Sequence, residues 1–195
     1  MFAALLDTNV LWPSLQRDFL LSLGIEGLYR PLWSEAILEE LHLHEQYKLI
    51  DRGTDPGEAL IKADFLVTQM RSAFDDALVT GWEGLDGTYG LPDPDDEHVL
   101  AAAVVGNAGA IVTDNLKHFP AAKVPSHINV ITGREFAENT ADVNPEAAVR
   151  ALIAISRRHE LTPHTPREVL ELLVVRYSMN ELADLLADAL DEAGA

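Results

Sequence analysis

The chain has no cysteine, which excludes a disulfide framework, thiolate metal sites and cysteine catalysis together. It is poor in positive charge: 14 Lys and Arg stand against 32 Asp and Glu, a formal net charge of −18. A surface that acidic repels nucleic-acid phosphate at long range and disfavours binding by charge alone. No apolar run approaches the roughly 20 residues that span a bilayer. The amino terminus has no basic n-region, and Asp7 interrupts its short apolar stretch, so it does not read as a signal peptide. The expectation is a soluble, cytoplasmic protein without a membrane partner.

What is present is the composition of a packed globule, with 48% hydrophobic and 24% charged residues over 195 positions. A chain of this length buries roughly 70% of its unfolded surface and needs no covalent staple. The surplus carboxylates have two readings. Most keep a protein soluble, or a few converge on a divalent cation. Their positions decide between the two.

Four short apolar runs read as buried strands: 2–6, 29–33, 110–113 and 129–132. Between them lie helical stretches at 9–23, 34–47 (Ser34 as N-cap), 58–79, and from Asp95 or Asp96 to Val105. The segment 81–94 holds four glycines and two prolines and reads as a connector. A turn at 116–119 and a helix at 133–139 complete the unit. Strands alternating with helices predict an α/β fold with a mostly parallel sheet. After residue 140 the pattern is helical only, with helices at 145–158, 166–177 and 179–191. Asn144-Pro145, Thr165-Pro166-Arg167-Glu168 and Ser178 with Glu181 are their start signals. The division expected is 1–139 for the α/β unit and 140–195 for a small all-helical extension. That extension carries more apolar surface than three helices hide among themselves, so it should cover the α/β unit or a partner, dispensable for chemistry but needed for solubility or partner binding.

Ligands of open α/β sheets bind beyond the C-terminal strand ends. Asp7 follows the first strand, in Leu5-Leu6-Asp7-Thr8-Asn9-Val10-Leu11. Asp114 follows the strand ending at Thr113, in Thr113-Asp114-Asn115. Asp96 heads the preceding helix, and Glu40 lies in the helix after the second strand. All four can reach one crevice. Each also has a plain structural role open to it: a strand-end cap for Asp7, an N-cap for Asp96, a solvated helix position for Glu40. Clustered carboxylates need a cation, and hard oxygen ligands select Mg²⁺ or Mn²⁺. Such a site activates water for in-line displacement at a phosphodiester.

These stretches, with Glu39-Glu40-Leu41, Asp96 before Val99-Leu100-Ala101-Ala102-Ala103, and Ile111-Val112-Thr113-Asp114-Asn115-Leu116-Lys117-His118-Phe119-Pro120, resemble a PIN domain. The similarity is greatest to VapC-type toxin ribonucleases of bacterial toxin–antitoxin pairs, and it covers residues 1 to about 138. It implies a three-layer α/β/α fold with a central parallel sheet, and Mg²⁺- or Mn²⁺-dependent cleavage of single-stranded RNA (tRNA, rRNA or mRNA). It also implies a homodimer and a cognate antitoxin. Carried over by position, Asp7 matches the first acidic residue, Glu40 the second with Glu39 as fallback, and Asp96 the third. The fourth falls on Asp114 or Asn115. Asp7, Asp96 and Asp114 are then metal ligands, Glu40 joins them in catalysis, and Thr8, Asn9 and Thr113 orient carboxylates or touch substrate.

Other residues read more plainly. His42 and His44 do not share a helix face and make a poor zinc pair. His118 is either a phosphate contact or part of a solvated loop, and Trp12, Trp33 and Trp82 read as core. Arg17, Lys62, Arg71, Lys117 and Lys123 are the cations available to RNA. Two other function classes compete: a haloacid-dehalogenase-like Mg²⁺-dependent phosphatase, which lacks a second aspartate at Asn9, and a non-catalytic PIN-like binding module.

Overall fold

Ala4, Leu5 and Leu6 have no solvent exposure, as a strand covered on both faces requires. The computed structural model, which describes residues 1–158 and 164–194, places them in β1 (Ala3–Leu6). Among the described residues β1 joins β2 (Arg30–Ser34), β3 (Leu78–Val79), β4 (Ala110–Val112) and β5 (Asn129–Ile131) in a parallel sheet of order β3-β2-β1-β4-β5. Leu6 lies opposite Val112, so Asp7 and Thr113 leave the sheet side by side. Helices flank this sheet, and further helices follow it toward the C-terminus.

The helix expected at 9–23 is two helices, α1 (Thr8–Leu11) and α2 (Ser14–Ile25). Pro13 divides them, extended at ψ 110° and without an N–H for the helical ladder. After α3 (Glu35–Asp51), the helix expected at 58–79 is α4 (Pro56–Ala73). Phe74 leaves it at φ −138°, and Leu78 and Val79 pair with Trp33 and Ser34 as β3. Their apolar positions continue the helical period by coincidence; a two-residue strand has no period of its own.

The chain divides into two compact units. One comprises Ala3–Trp12 and Pro31–Val130; the other comprises Met1–Phe2, Pro13–Arg30 and Ile131–Ala195. In the sheet unit, Ser34 caps α3 by accepting from the Ile37 N–H at 3.2 Å. The short helix α5 (Glu97–Val105) packs on β1 and β4 through buried Ala101, Ala102 and Ala103, whose small side chains permit close approach. Glu97, buried beneath the glycine-rich connector, accepts from the N–H groups of Tyr89 at 2.8 Å and Leu91 at 2.5 Å.

In the helical unit α2 packs against α6 (Gly133–Val143), α7 (Pro145–Arg158) and α8 (Pro166–Tyr177). Tyr29 meets Phe136 edge-on at 4.8 Å, and its hydroxyl donates to the Leu20 carbonyl at 2.9 Å. Asn144 caps α7 through the Ala147 N–H at 3.0 Å, and Thr165 with Glu168 forms the expected capping box. Ser178 does not open a helix. It sits at φ +57° as the left-handed residue that ends α8, and the last expected helix divides at Leu186 into α9 (Glu181–Leu185) and α10 (Ala187–Ala193). Among the described residues no helix is long and apolar enough to cross a membrane.

Two outcomes follow from this packing. Gly106 closes α5 where an added Cβ would lie 2.8 Å from Val79 Cγ2 and 3.0 Å from Leu32 Cδ1 and the Ala102 carbonyl. Gly106→Ala should therefore destabilise the protein by about 1–3 kcal/mol, the usual range for overpacking, read as a lower denaturant midpoint with an unchanged slope. A chain ending at Asn139 loses α7 and α8, which pack on α2, the helix that carries buried Phe19, Leu20 and Leu23. It should aggregate on size-exclusion chromatography where the full chain does not.

Candidate active site

Asp7 carries on the sheet for one more hydrogen bond, its N–H donating to the Val112 carbonyl at 3.0 Å, and then turns into α1. Its carboxylate is 4% exposed and surrounded by donors. The Thr8 N–H reaches Oδ1 at 2.7 Å, while Asn9 Nδ2 and the Thr113 hydroxyl reach Oδ2 at 2.6 and 2.7 Å. Asn9 also donates to Thr113 Oγ1 at 2.8 Å and accepts the Asp114 N–H at 2.9 Å, locking the two strand ends together. Burial nevertheless pushes Asp7 up to about 6, and the charges of Asp96 and Glu40 push in the same direction against the Thr113 and Thr8 bonds.

Those two carboxylates line the same cleft, an opening of about 300 Å³ bounded by Asp7, Thr8, Asn9, Trp12, Glu40, His44, Asp96 and Asn115. Glu40 accepts the Thr8 hydroxyl at 2.7 Å on one oxygen and faces His98 Nε2 at 3.1 Å on the other. Partial burial raises this carboxyl, but the His98 and Thr8 bonds outweigh it and hold it below the usual glutamate range. Burial likewise lowers His98, and its bond to Glu40 more than reverses that, leaving it above the usual histidine range. Asp96 follows a short 3₁₀ turn, Pro94–Asp96, and makes no side-chain cap bond to α5. It accepts from His118 Nδ1 at 2.6 Å, and Asp93 lies 3.6 Å from the same nitrogen. Burial raises Asp96 despite the hydrogen bond and charge of His118.

The remaining expected site residues divide. Thr113 is fully buried under Asp7. Asn115 lines the cleft, whereas the Asp114 side chain is exposed and outside that lining. Glu39 faces the other way, into a separate groove with His42 and Asp64. His118 is a carboxylate partner rather than a bare phosphate contact. Trp33 and Trp82 are core as expected, but Trp12 is 42% exposed and lines the cleft. Of the cations, Lys62 pairs with Glu58 at 2.7 Å, Arg71 pairs with Glu35 at 2.5 Å, and Arg17 is buried in the helical unit. None of the five lines the cleft.

The family model described as PIN domain matches residues 3–117, more than half of the chain. The chain belongs to the PIN domain family. It is also similar to a protein of Mycobacterium tuberculosis (strain ATCC 25618 / H37Rv) named Putative ribonuclease VapC50, with 38% identity over 79 residues. That overlap covers 40% of this chain and 47% of the relative, so the match spans less than half of the relative's length. No solved structure matches the chain.

Three residues here were not marked as site residues by the sequence: His44 and Trp12, which line the cleft, and His98, which faces Glu40. His98 sits in the first turn of α5 and His44 one turn beyond Glu40 on α3, and nothing in their local pattern marks them. Trp12 is followed by Pro13, the break between α1 and α2 that leaves it at a chain turn. That break was the available signal.

The donor set fits a divalent cation, since Asp7, Glu40 and Asp96 offer only hard carboxylate oxygens and raise one another's energy when ionised. The sign of the Asp7 effect is testable. A carboxyl whose folded value lies above its ordinary 3.8 destabilises the fold only when ionised. The penalty is absent below about pH 4, grows between about pH 4 and 6, and reaches about 3 kcal/mol above that. Asp7→Asn removes it, and the stranded donors around the amide return part of the gain. With metal chelated, the variant should melt above the wild type by a few degrees at pH 7.5, and the gap should close or reverse at pH 4.5.

Proposed function

We propose that the chain is a divalent-metal-dependent endoribonuclease that cuts single-stranded RNA and acts as the toxin of a type II toxin–antitoxin pair. The observation that carries this reading is the convergence of three carboxylates from distant stretches, Asp7, Glu40 and Asp96, on one open cleft at the C-terminal edge of the sheet. Membership of the PIN domain family and the partial likeness to a VapC-named protein support it. The toxin role, the antitoxin, a homodimer and the RNA class follow from that likeness. Residues 1–139 would carry the chemistry and 140–195 would form a helical extension.

Asp7, Glu40 and Asp96 would hold the cation, with Asn115 or Asp114 at the rim, and Mg²⁺ and Mn²⁺ both suit the oxygen ligands. When bound, such an ion supplies Lewis acidity at the scissile phosphate and lowers the pKa of a coordinated water. The chain's own residues do the positioning. Asn9 and Thr113 hold the Asp7 oxygens in place, Thr8 and His98 hold Glu40, and His118 holds Asp96. The partners of the ligating groups matter because their loss typically costs about 10–100-fold in metal affinity or activity. Glu40, which His98 holds below the usual glutamate range, would help position the metal or the attacking water. Unpaired RNA reaches this narrow acidic cleft more readily than a duplex, whose paired bases are not exposed for contact.

A gel of single-stranded RNA with and without Mn²⁺ tests the reading. Cleavage should require the metal and vanish in Asp7→Asn and Asp96→Asn, with the circular dichroism spectrum unchanged. Absence of cleavage by the metal-loaded wild type would favour a binding module. Asp114→Ala and Asn115→Ala, compared by Mn²⁺ titration, assign the rim position. The larger loss of affinity is expected at Asn115, whose side chain lines the cleft.

A further inference from the structure

We propose that Trp12 is a stacking platform for one unpaired nucleobase at the mouth of the carboxylate cleft, a subsite that rests on the ribonuclease reading and supplies the affinity that charge does not. Of the three tryptophans, Trp33 is fully buried and Trp82 is 9% exposed, while Trp12 is 42% exposed and lines the cleft beside Asp7, Asn9 and Glu40. An indole held in water next to three carboxylates contributes little to the core; its exposed ring is available to a ligand with a flat apolar face.

The ring is carried on a fixed backbone. The Trp12 N–H donates to the Thr8 carbonyl at 2.8 Å, its carbonyl accepts from Lys48 Nζ at 3.2 Å, and Pro13 follows. Glu40, His44 and Lys48 stand four residues apart along one ridge of α3. That ridge runs from the carboxylate end of the cleft to the indole. His44 meets Trp12 at 6.3 Å and a 58° tilt, and the Lys48 ammonium lies 5.9 Å from the indole centroid. The two rings therefore make an oblique corner at one wall of the cleft, so a base laid on the indole would meet the imidazole at an angle. A parallel slot that would clamp a base between them is not what this tilt builds.

The charge balance explains why a base, and not a phosphate, is the group recognised here. The chain carries a net charge of −18, and none of the cations expected to meet RNA lines the cleft. Backbone attraction is thus weak, whereas base–aromatic stacking is tolerant of sequence and insensitive to the sign of the surface. The substrate class named by this geometry is an RNA segment with at least one unstacked base next to the scissile phosphate.

The test uses the full chain carrying Asp7→Asn, so that the RNA survives, and reads the fluorescence of its one well-exposed indole. A single-stranded RNA oligomer should quench the emission, and a ribose-phosphate oligomer of equal length without bases should not. With binding read instead by the anisotropy of an end-labelled oligomer, Trp12→Ala should weaken RNA binding by roughly tenfold, with affinity for the abasic oligomer unchanged, and Trp12→Phe should restore most of that affinity. RNA affinity unchanged in Trp12→Ala, an equal loss for both oligomers, or no rescue of affinity by Trp12→Phe overturns the platform. In the protein that keeps Asp7 the two readings separate. RNA cleavage with a KM that Trp12→Ala leaves unchanged discards the platform and keeps the nuclease. Quenching by RNA without any cleavage keeps the platform and discards the nuclease.

Discussion

A carboxylate at the buried end of a central strand is the constraint on which the site depends. Asp7 cannot be left bare at 4% exposure, because an unpaired charge in that position would be prohibitively costly. Its three hydrogen bonds from Thr8, Asn9 and Thr113 answer this need only in part, and the carboxyl is still pushed up to about 6. The same contacts have structural consequences: they start α1, join the ends of β1 and β4, and aim the backbone of Asp114 at Asn9. A group held this way is poised for a cation, since the protein supplies fixed oxygens without enough positive charge to balance them.

Two histidines stand against the carboxylates of the cleft. His98 stands against Glu40 and His118 against Asp96 and Asp93. The carboxyl oxygens of Asp93 and Asp96 and a nitrogen of His118 all lie within 4.8 Å of one another. The three acidic residues are consequently not equivalent: burial raises Asp7 and Asp96, and its histidine holds Glu40 low.

Supporting elements carry this geometry at a distance. Glu97, one residue after Asp96, ties down the glycine-rich connector through two backbone N–H groups and so fixes the entry to α5. Alanines on that helix let it lie close to β1 and β4. The buried Glu45–Lys48 ion pair on α3 places a lysine where it can also bond the Trp12 carbonyl. Positioning of the cleft is therefore spread over the packing of α3 and α5 as much as over the residues that face it.

The strands at 2–6, 29–33 and 110–113, the α/β class and the four stretches bearing Asp7, Glu40, Asp96 and Asp114–Asn115 were legible along the chain, because strand-end acids and apolar periodicity are local signals. So were the caps at Ser34, Asn144 and Thr165, whose chemistry is complete within four residues. Tertiary structure alone decided the rest. β3 exists only because β2 offers it a partner, and Ser178 ends a helix instead of starting one because the chain turns there at positive φ. The side of α3 on which Glu40 rather than Glu39 meets the cleft depends on which face packs beside α1, and the exposure of Trp12 depends on the break at Pro13. The choice of His98 and His118 as carboxylate partners joins residues 58 and 22 positions apart in sequence, as Glu40 is from His98 and Asp96 from His118. No periodicity records such a distance, since proximity of that kind is created only when the sheet assembles.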